Sequence, residues 1–253
     1  AGRCEDAVKL IRKDNPFPTA CAFICEHPCE ARCRRNMVDD AVNICGIKHY
    51  AVTHALHVAP VANQPSTGKR VAIIGGGPAG MFAAITAARQ GRRVLLLERN
   101  DRLGRKLLIT GKGRCNVTND CSGQEVLQNI PHNGRFLYSA MTAFPPSETM
   151  AFFRQCGCEL KTERGNRVFP ATDKSQTILD CLTKELRRFH VEVKTDRVQR
   201  ILTENGVVTG VAGAAGNYAS DWVILATGGL SYPATGSTGD GYAMAAELGH
   251  TIV

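Results

Sequence analysis

The clearest patterning in the chain lies in its middle. Val71-Ala72-Ile73-Ile74 is a short unbroken apolar run and predicts a strand buried on both faces. Gly75–Gly80 follows as a tight loop, Met81–Gln90 carries helical spacing, and Val94-Leu95-Leu96-Leu97 predicts a second buried strand. Together they make a βαβ opening. Farther on, Thr149–Gln155 and Gln176–Arg188 read as helices. Val191–Lys194, Val198–Thr203, Val207–Ala212 and Trp222–Ala226 read as strands, with Asn205-Gly206 as a hairpin turn.

The N-terminal part has another character. Ala7, Val8, Leu10 and Ile11 give a short apolar helical face, which Asn15-Pro16-Phe17-Pro18 breaks. A second amphipathic stretch is expected from about Ala41 to Leu56, with Val42, Cys45, Tyr50, Val52 and Leu56 on the inner side. Residues 59–68 show no periodicity and read as a linker, so the expected division is 1–58, 59–68 and 69–253.

Composition narrows the class. The 253 residues are 43% hydrophobic and 21% charged, a globular balance, and no apolar run reaches the length of a membrane span. Nothing at the N-terminus reads as a signal peptide, and both ends read as cut. The net charge of +8 is local: nine basic residues lie between Arg89 and Arg114, opposed by Glu98 and Asp101. Residues 1–66, with 8 basic and 7 acidic side chains, are nearly neutral. Eleven cysteines without a secretory signal favour thiols in a reducing compartment, hence a cytoplasmic protein.

Gly75-Gly76-Gly77-Pro78-Ala79-Gly80 satisfies G-x-G-x-x-G between strand and helix, and the second strand ends in Glu98, eighteen residues after Gly80. Gly75 allows the tight turn, Gly77 lets backbone approach a pyrophosphate, and Gly80 lets helix and strand pack closely. The helix start offers free N–H groups to phosphate, and Glu98 is placed to accept from a ribose. An acid there opposes the 2′-phosphate of NADP. The long basic stretch from Arg105 to Asn116, which includes Arg114, and Ala226-Thr227-Gly228-Gly229 after an apolar strand favour a flavin over a plain NAD site.

Gly75–Gly80, Gly104–Asn119, Arg167–Pro170 and Ala226–Tyr242 together resemble the N-terminal half of the BaiN-like NAD(P)/FAD-dependent oxidoreductases. The resemblance implies a Rossmann-like α/β domain with non-covalent FAD, and NAD(P)H as a donor. It also implies Gly75, Gly77, Gly80, Glu98, Arg99, Lys106, Gly113, Val198, Thr227 and Gly228 around the cofactor.

Cys21, Cys25, Cys29 and Cys33 are spaced C-x3-C-x3-C-x3-C, a metal-ligand pattern. Asn15–Cys21, Glu26–Glu30 and Cys33-Arg34-Arg35 resemble the second part of the two-[4Fe–4S] domain of glutamate synthase small subunits and dihydropyrimidine dehydrogenase. That resemblance implies a small helical iron–sulfur module with Cys25, Cys29 and Cys33 as cluster ligands and Cys21 as a spare thiol. Lys48 or His49 stands where some relatives place a Gln ligand.

The expected function is an FAD-dependent oxidoreductase joining NAD(P)H, flavin, a [4Fe–4S] cluster and a small-molecule substrate. An electron-transfer partner is compatible with it; a nucleic-acid or membrane partner is not expected. No side chain stands out as an acid–base catalyst. The rivals are a zinc-stabilised nucleic-acid-binding module and an inactive fragment of a flavoenzyme. Cys156-Gly157-Cys158 reads as helix-end packing rather than a redox pair, and Cys115 as either a packed thiol or a neighbour of the flavin ring.

Overall fold

The computed structural model describes residues 3–11, 30, 33–38, 40–55 and 68–252. The chain forms two compact units, one from Ala1–Pro60 with Thr118–Ala151, the other from Val61–Val117 with Phe152–Val253. The sequence blocks 1–58 and 69–253 cut it differently, because Thr118–Ala151 interrupts the second block.

In the first unit, helix α1 (Cys4–Ile11) packs on helix α2 (Ile44–His54). Val8, Cys45 and Ala51 are buried, and Asn43 caps α2 by accepting from the Gly46 N–H at 2.6 Å. Cys45 is inside as expected, whereas Val42 and Tyr50 are 37% and 58% exposed. The expected inner face was therefore too wide. The helix begins two residues after Val42, and Tyr50 turns outward to stack on His54 at 3.9 Å. Leu56 and most of the linker lie outside the described residues. Two short helices, α3 (Gly123–Gln128) and α4 (Tyr138–Ala143), lie in its second segment, α3 starting in a Ser122–Glu125 capping box.

The second unit is built on a parallel sheet of four strands: β1 (Arg70–Ile74), β2 (Arg93–Glu98), β3 (Glu192–Thr195) and β4 (Trp222–Leu225). Their order is β4-β1-β2-β3, with Val71 opposite both Val94 and Trp222. Strand residues alternate between two apolar layers. Val71, Ile73, Val94 and Leu96 meet Met81, Ala84 and Ile85 of helix α5 (Pro78–Arg89) and Ile178, Leu182 and Leu186 of helix α6 (Ser175–Arg188). On the other side, Ala72, Ile74 and Leu97 pack with Val198, Val211 and Met244.

Val198 and Val211 belong to an antiparallel meander, β5 (Val198–Glu204), β6 (Val207–Gly213) and β7 (Asn217–Ala219). Its first turn is Asn205-Gly206, with φ of 51° and 76°, the two left-handed residues a tight hairpin requires. Met244 lies on a last helix, α7 (Asp240–Glu247). A hairpin of Leu160–Glu163 with Arg167–Pro170, absent from the sequence reading as strands, pairs Thr162 with Val168. The sheet between helices on one face and a meander on the other brings its strand ends to one edge, where the site lies.

Candidate functional site: a nucleotide cradle at the strand ends

The cradle starts from two glycines. Gly75 has φ +110°, and a Cβ there would lie 2.4 Å from the Ala226 carbonyl oxygen. At Gly80, in the first turn of α5, a Cβ would meet the Gly75 carbonyl oxygen at 1.8 Å. Only glycine permits this approach of helix to strand. Gly77 caps α5 with extended backbone, and a Cβ built on it finds nothing within 4 Å. Pro78 opens the helix without an N–H, so the first-turn N–H groups of Ala79 and Gly80 present the positive end of the helix. The helix begins at Pro78 rather than Met81 because Pro suits the first helical position.

Hydrogen bonds fix this loop. Gly75 N–H donates to Leu97 O at 2.8 Å, Gly104 N–H to Gly76 O at 2.9 Å, and Ala226 N–H to Ile74 O at 2.8 Å. Glu98, 7% exposed, uses its carboxylate as an anchor. Its Oε2 accepts from Gly76 N–H at 2.6 Å, and its Oε1 accepts from the Asn100 N–H at 2.8 Å and side-chain amide at 2.6 Å. Two carboxylate oxygens offer about four lone-pair positions, so one on Oε2 remains for a ribose hydroxyl.

The cavity these groups enclose measures about 210 Å³. A pocket for a whole drug-sized ligand is roughly 300–1,000 Å³, so this volume suits one half of a dinucleotide. Gly75, Gly77, Pro78, Ala79, Glu98 and Arg99 line one side. Lys106, Val198, Ala226, Thr227 and Gly228 line the rest of the positions expected from sequence. Lys106 is held at the rim by Ser231, its Nζ 2.8 Å from Oγ and 3.0 Å from the carbonyl oxygen. Gly80 lies behind the wall as the packing glycine. The open space at Gly77, the free helix start and the spare position on Glu98 fit the pyrophosphate and ribose of a dinucleotide.

Gly113 and Arg114 are not part of this wall. Arg114 pairs with Glu163 and, at 2.7 Å, with Asp173, while its guanidinium lies 4.2 Å from the Phe169 ring centre. Lys161 joins the same two acids, Asp173 at 2.5 Å. The Arg114 guanidinium holds the Glu163 carboxyl below its ordinary range, and Lys161 with Arg114 does the same for Asp173. Arg114 thus fastens the end of the glycine-rich loop to the hairpin. The residues Asn100, Arg197, Ser237, Asp240 and Met244 also line the cavity and were not singled out from sequence. Asp240 sat inside a recognised block; Arg197 carried no local signal.

Cys115, with φ +60°, is buried in the core layer shared by Leu107 and Phe153. Cys156 and Cys158 are buried free thiols. Desolvation pushes them up to about 11 and about 12, so they are packed and unreactive near neutral pH. Of the cysteine motif, Cys21, Cys25 and Cys29 lie outside the described residues. Cys33 is half-buried at the start of the turn Arg34–Met37, donating its N–H to Glu30 O at 3.0 Å.

A parallel sheet carrying a glycine cradle and a strand-end acid defines a Rossmann-type dinucleotide-binding protein. Residues 69–253 match the HI0933-like protein Rossmann domain, and residues 1–59 match dihydropyrimidine dehydrogenase domain II, 4Fe-4S cluster. The chain belongs to the HI0933-like family and carries an FAD-binding domain preceded by a 4Fe-4S domain.

It is 37% identical over 187 residues to the 3-dehydro-bile acid delta(4,6)-reductase of Clostridium scindens, covering 72% of this chain and 44% of that protein. It is 32% identical over 192 residues to the ribosomal RNA dihydrouridine synthase of Escherichia coli, with the same shares of 72% and 44%. The NADPH-Fe(3+) oxidoreductase subunit beta of Geobacter sulfurreducens is 41% identical over 92 residues, 35% of this chain and 14% of that one. The chain spans less than half the length of the first two relatives. Among the described residues no helix is long and apolar enough to cross a membrane.

Proposed function

We propose that the protein is an FAD-dependent oxidoreductase that passes electrons or hydride between NAD(P)H, its flavin, a [4Fe–4S] cluster and a small-molecule substrate. The observation that carries this reading is the convergence of Gly75–Gly80, Glu98 and Ala226–Gly228 on one cavity. In this role Ala79 donates its N–H to the pyrophosphate, Gly80 lets the helix start come close to the strand, and Glu98 accepts from the ribose. Val198, Thr227 and Gly228 close the cavity, Lys106 offsets phosphate charge, and Arg99 stands next to Glu98 on the ribose side. Gly113 lets the basic loop turn toward the cofactor, and Arg114 anchors that loop. When bound, FAD supplies hydride and single-electron chemistry that no side chain of this protein can supply.

Cys25, Cys29 and Cys33, with Cys21 beside them, are the ligands proposed from this chain for the cluster, whose chemistry is one-electron transfer. Similarity to the NADPH-Fe(3+) oxidoreductase subunit and to the 3-dehydro-bile acid delta(4,6)-reductase supports a nicotinamide donor and a small-molecule substrate. A reducing, cytoplasmic setting accords with the free buried thiols. The rRNA-directed relative supplies the competing substrate class.

Anaerobic mixing of the FAD- and iron–sulfur-reconstituted protein with NADH or NADPH tests the reading. Bleaching of the flavin absorbance by one of them is the expected result. A flavin that dithionite reduces and neither nicotinamide does would overturn the assigned donor.

A further inference from the structure

Two arginines stand beside the ribose acid, and a site for ribose and pyrophosphate alone has no use for both. Arg99 directly follows Glu98 at the end of β2, where a Rossmann site that accepts NADP places the cation for the ribose 2′-phosphate. Arg197 lies next to it on the same cavity wall. Charge at this position would favour a 2′-phosphorylated dinucleotide.

Both cations are already engaged. Arg99 Nη1 donates to Asp240 Oδ2 at 2.9 Å and to Thr238 Oγ1 at 2.6 Å. Arg197 Nε lies 3.5 Å from the same Asp240 oxygen. Thr238 Oγ1 in turn donates to Asp240 Oδ1 at 2.9 Å, which fixes the carboxylate in place. The side chains of Arg99 and Asp240 are 29% and 21% exposed, so water screens this pair only in part. The other rim cations have neutral partners: Lys106 bonds Ser231, and Arg105 donates to Asn100 Oδ1 at 3.1 Å.

We propose that Asp240 is a specificity-determining residue: by holding Arg99 and Arg197 it excludes dinucleotides with a ribose 2′-phosphate from this cavity. The proposal rests on the reading of the cavity as a dinucleotide site. A 2′-phosphate entering here would have to displace a carboxylate from two guanidiniums while lying close to that carboxylate's own charge. Glu98 opposes it separately, since esterifying the 2′-hydroxyl removes the donor that the spare Oε2 position would take. FAD, with an unmodified adenosine ribose, meets neither obstacle. The rejection of the unwanted ligand is thus built from repulsion as well as from the preferred contacts.

The test is calorimetric titration of the full chain with 5′-ADP and with 2′,5′-ADP. The wild-type protein is expected to prefer 5′-ADP. Asp240→Asn is expected to shift the ratio of the two dissociation constants about tenfold toward 2′,5′-ADP, in a salt-dependent way. Asp240→Glu should keep the wild-type preference, and adding Arg99→Ala to Asp240→Asn should abolish the gain. Asp240→Ser, which also suits a helix start, replaces Asn if that variant does not fold. An unchanged ratio in a variant that still binds 5′-ADP overturns the role of Asp240 and leaves the dinucleotide site standing. A wild-type protein that binds neither nucleotide overturns both.

Discussion

A Gly80→Ala protein is expected to lose about 3 kcal/mol of stability and at least about a hundredfold in FAD affinity. The new methyl would lie 1.8 Å from the Gly75 carbonyl oxygen and 3.3 Å from Ala226 Cβ. Neither neighbour can retreat cheaply. Gly75 is tied through its N–H to Leu97 O at 2.8 Å, and Ala226 through its own to Ile74 O at 2.8 Å. Relief therefore has to come from α5 moving off the sheet, which opens the layer of Met81, Ala84 and Ile85 and tilts the helix start out of the cradle. Urea denaturation and flavin titration read the two effects separately. Wild-type stability together with wild-type affinity would mean that the close contact of helix and strand does not build the site.

Glu98→Ala acts on the same site by a different route. It removes the acceptor for Gly76 N–H and for both donors of Asn100 at a position only 7% exposed. Leaving buried donors unpaired costs roughly 1–3 kcal/mol each, moderated here because the Asn100 amide also reaches Thr235 O at 3.3 Å. A stability loss of about 3 kcal/mol is expected, with FAD bound about a hundredfold more weakly. Glu98→Gln separates charge from shape. It keeps an acceptor for Asn100 but turns an NH₂ toward the Gly76 N–H, so it should recover part of the stability and less of the affinity. Affinity unchanged in both variants would remove Glu98 from the ribose site and leave it a structural anchor.

The legible part of this protein was the part written in local patterns. The runs at 71–74 and 94–97 became neighbouring parallel strands, and the glycine loop became the turn between strand and helix. Asn205-Gly206 formed the hairpin its sequence demands. The hairpin over Leu160–Glu163 and Arg167–Pro170 escaped notice because Lys161, Glu163 and Arg167 break any apolar run. Lys161 is matched by the nearby Asp173, and Glu163 by Arg114, which lies 49 residues away in sequence. Val42 and Tyr50 satisfied a helical period that the shorter helix α2 does not use for packing.

The site divides in the same way. Gly75, Gly77, Gly80 and Glu98 have a fixed spacing that follows from one βαβ unit, so a single stretch of sequence reveals them. Arg197 and Asp240 reach the cavity from the start of β5 and the start of α7. Their meeting with Arg99 depends on how the meander and last helix pack on the sheet, which no local pattern records. Arg114 shows the converse. Its position in a basic loop pointed to the cofactor, and two carboxylates from the hairpin side claim it instead.

The most direct test of the account is equilibrium titration of the flavin-free full chain with FAD, followed by flavin fluorescence, with 5′-ADP as competitor. The account predicts one saturable site from which 5′-ADP displaces FAD, since both place adenosine against Glu98. Failure of FAD to bind, or binding that 5′-ADP leaves untouched, would contradict the assignment of this cavity to the dinucleotide.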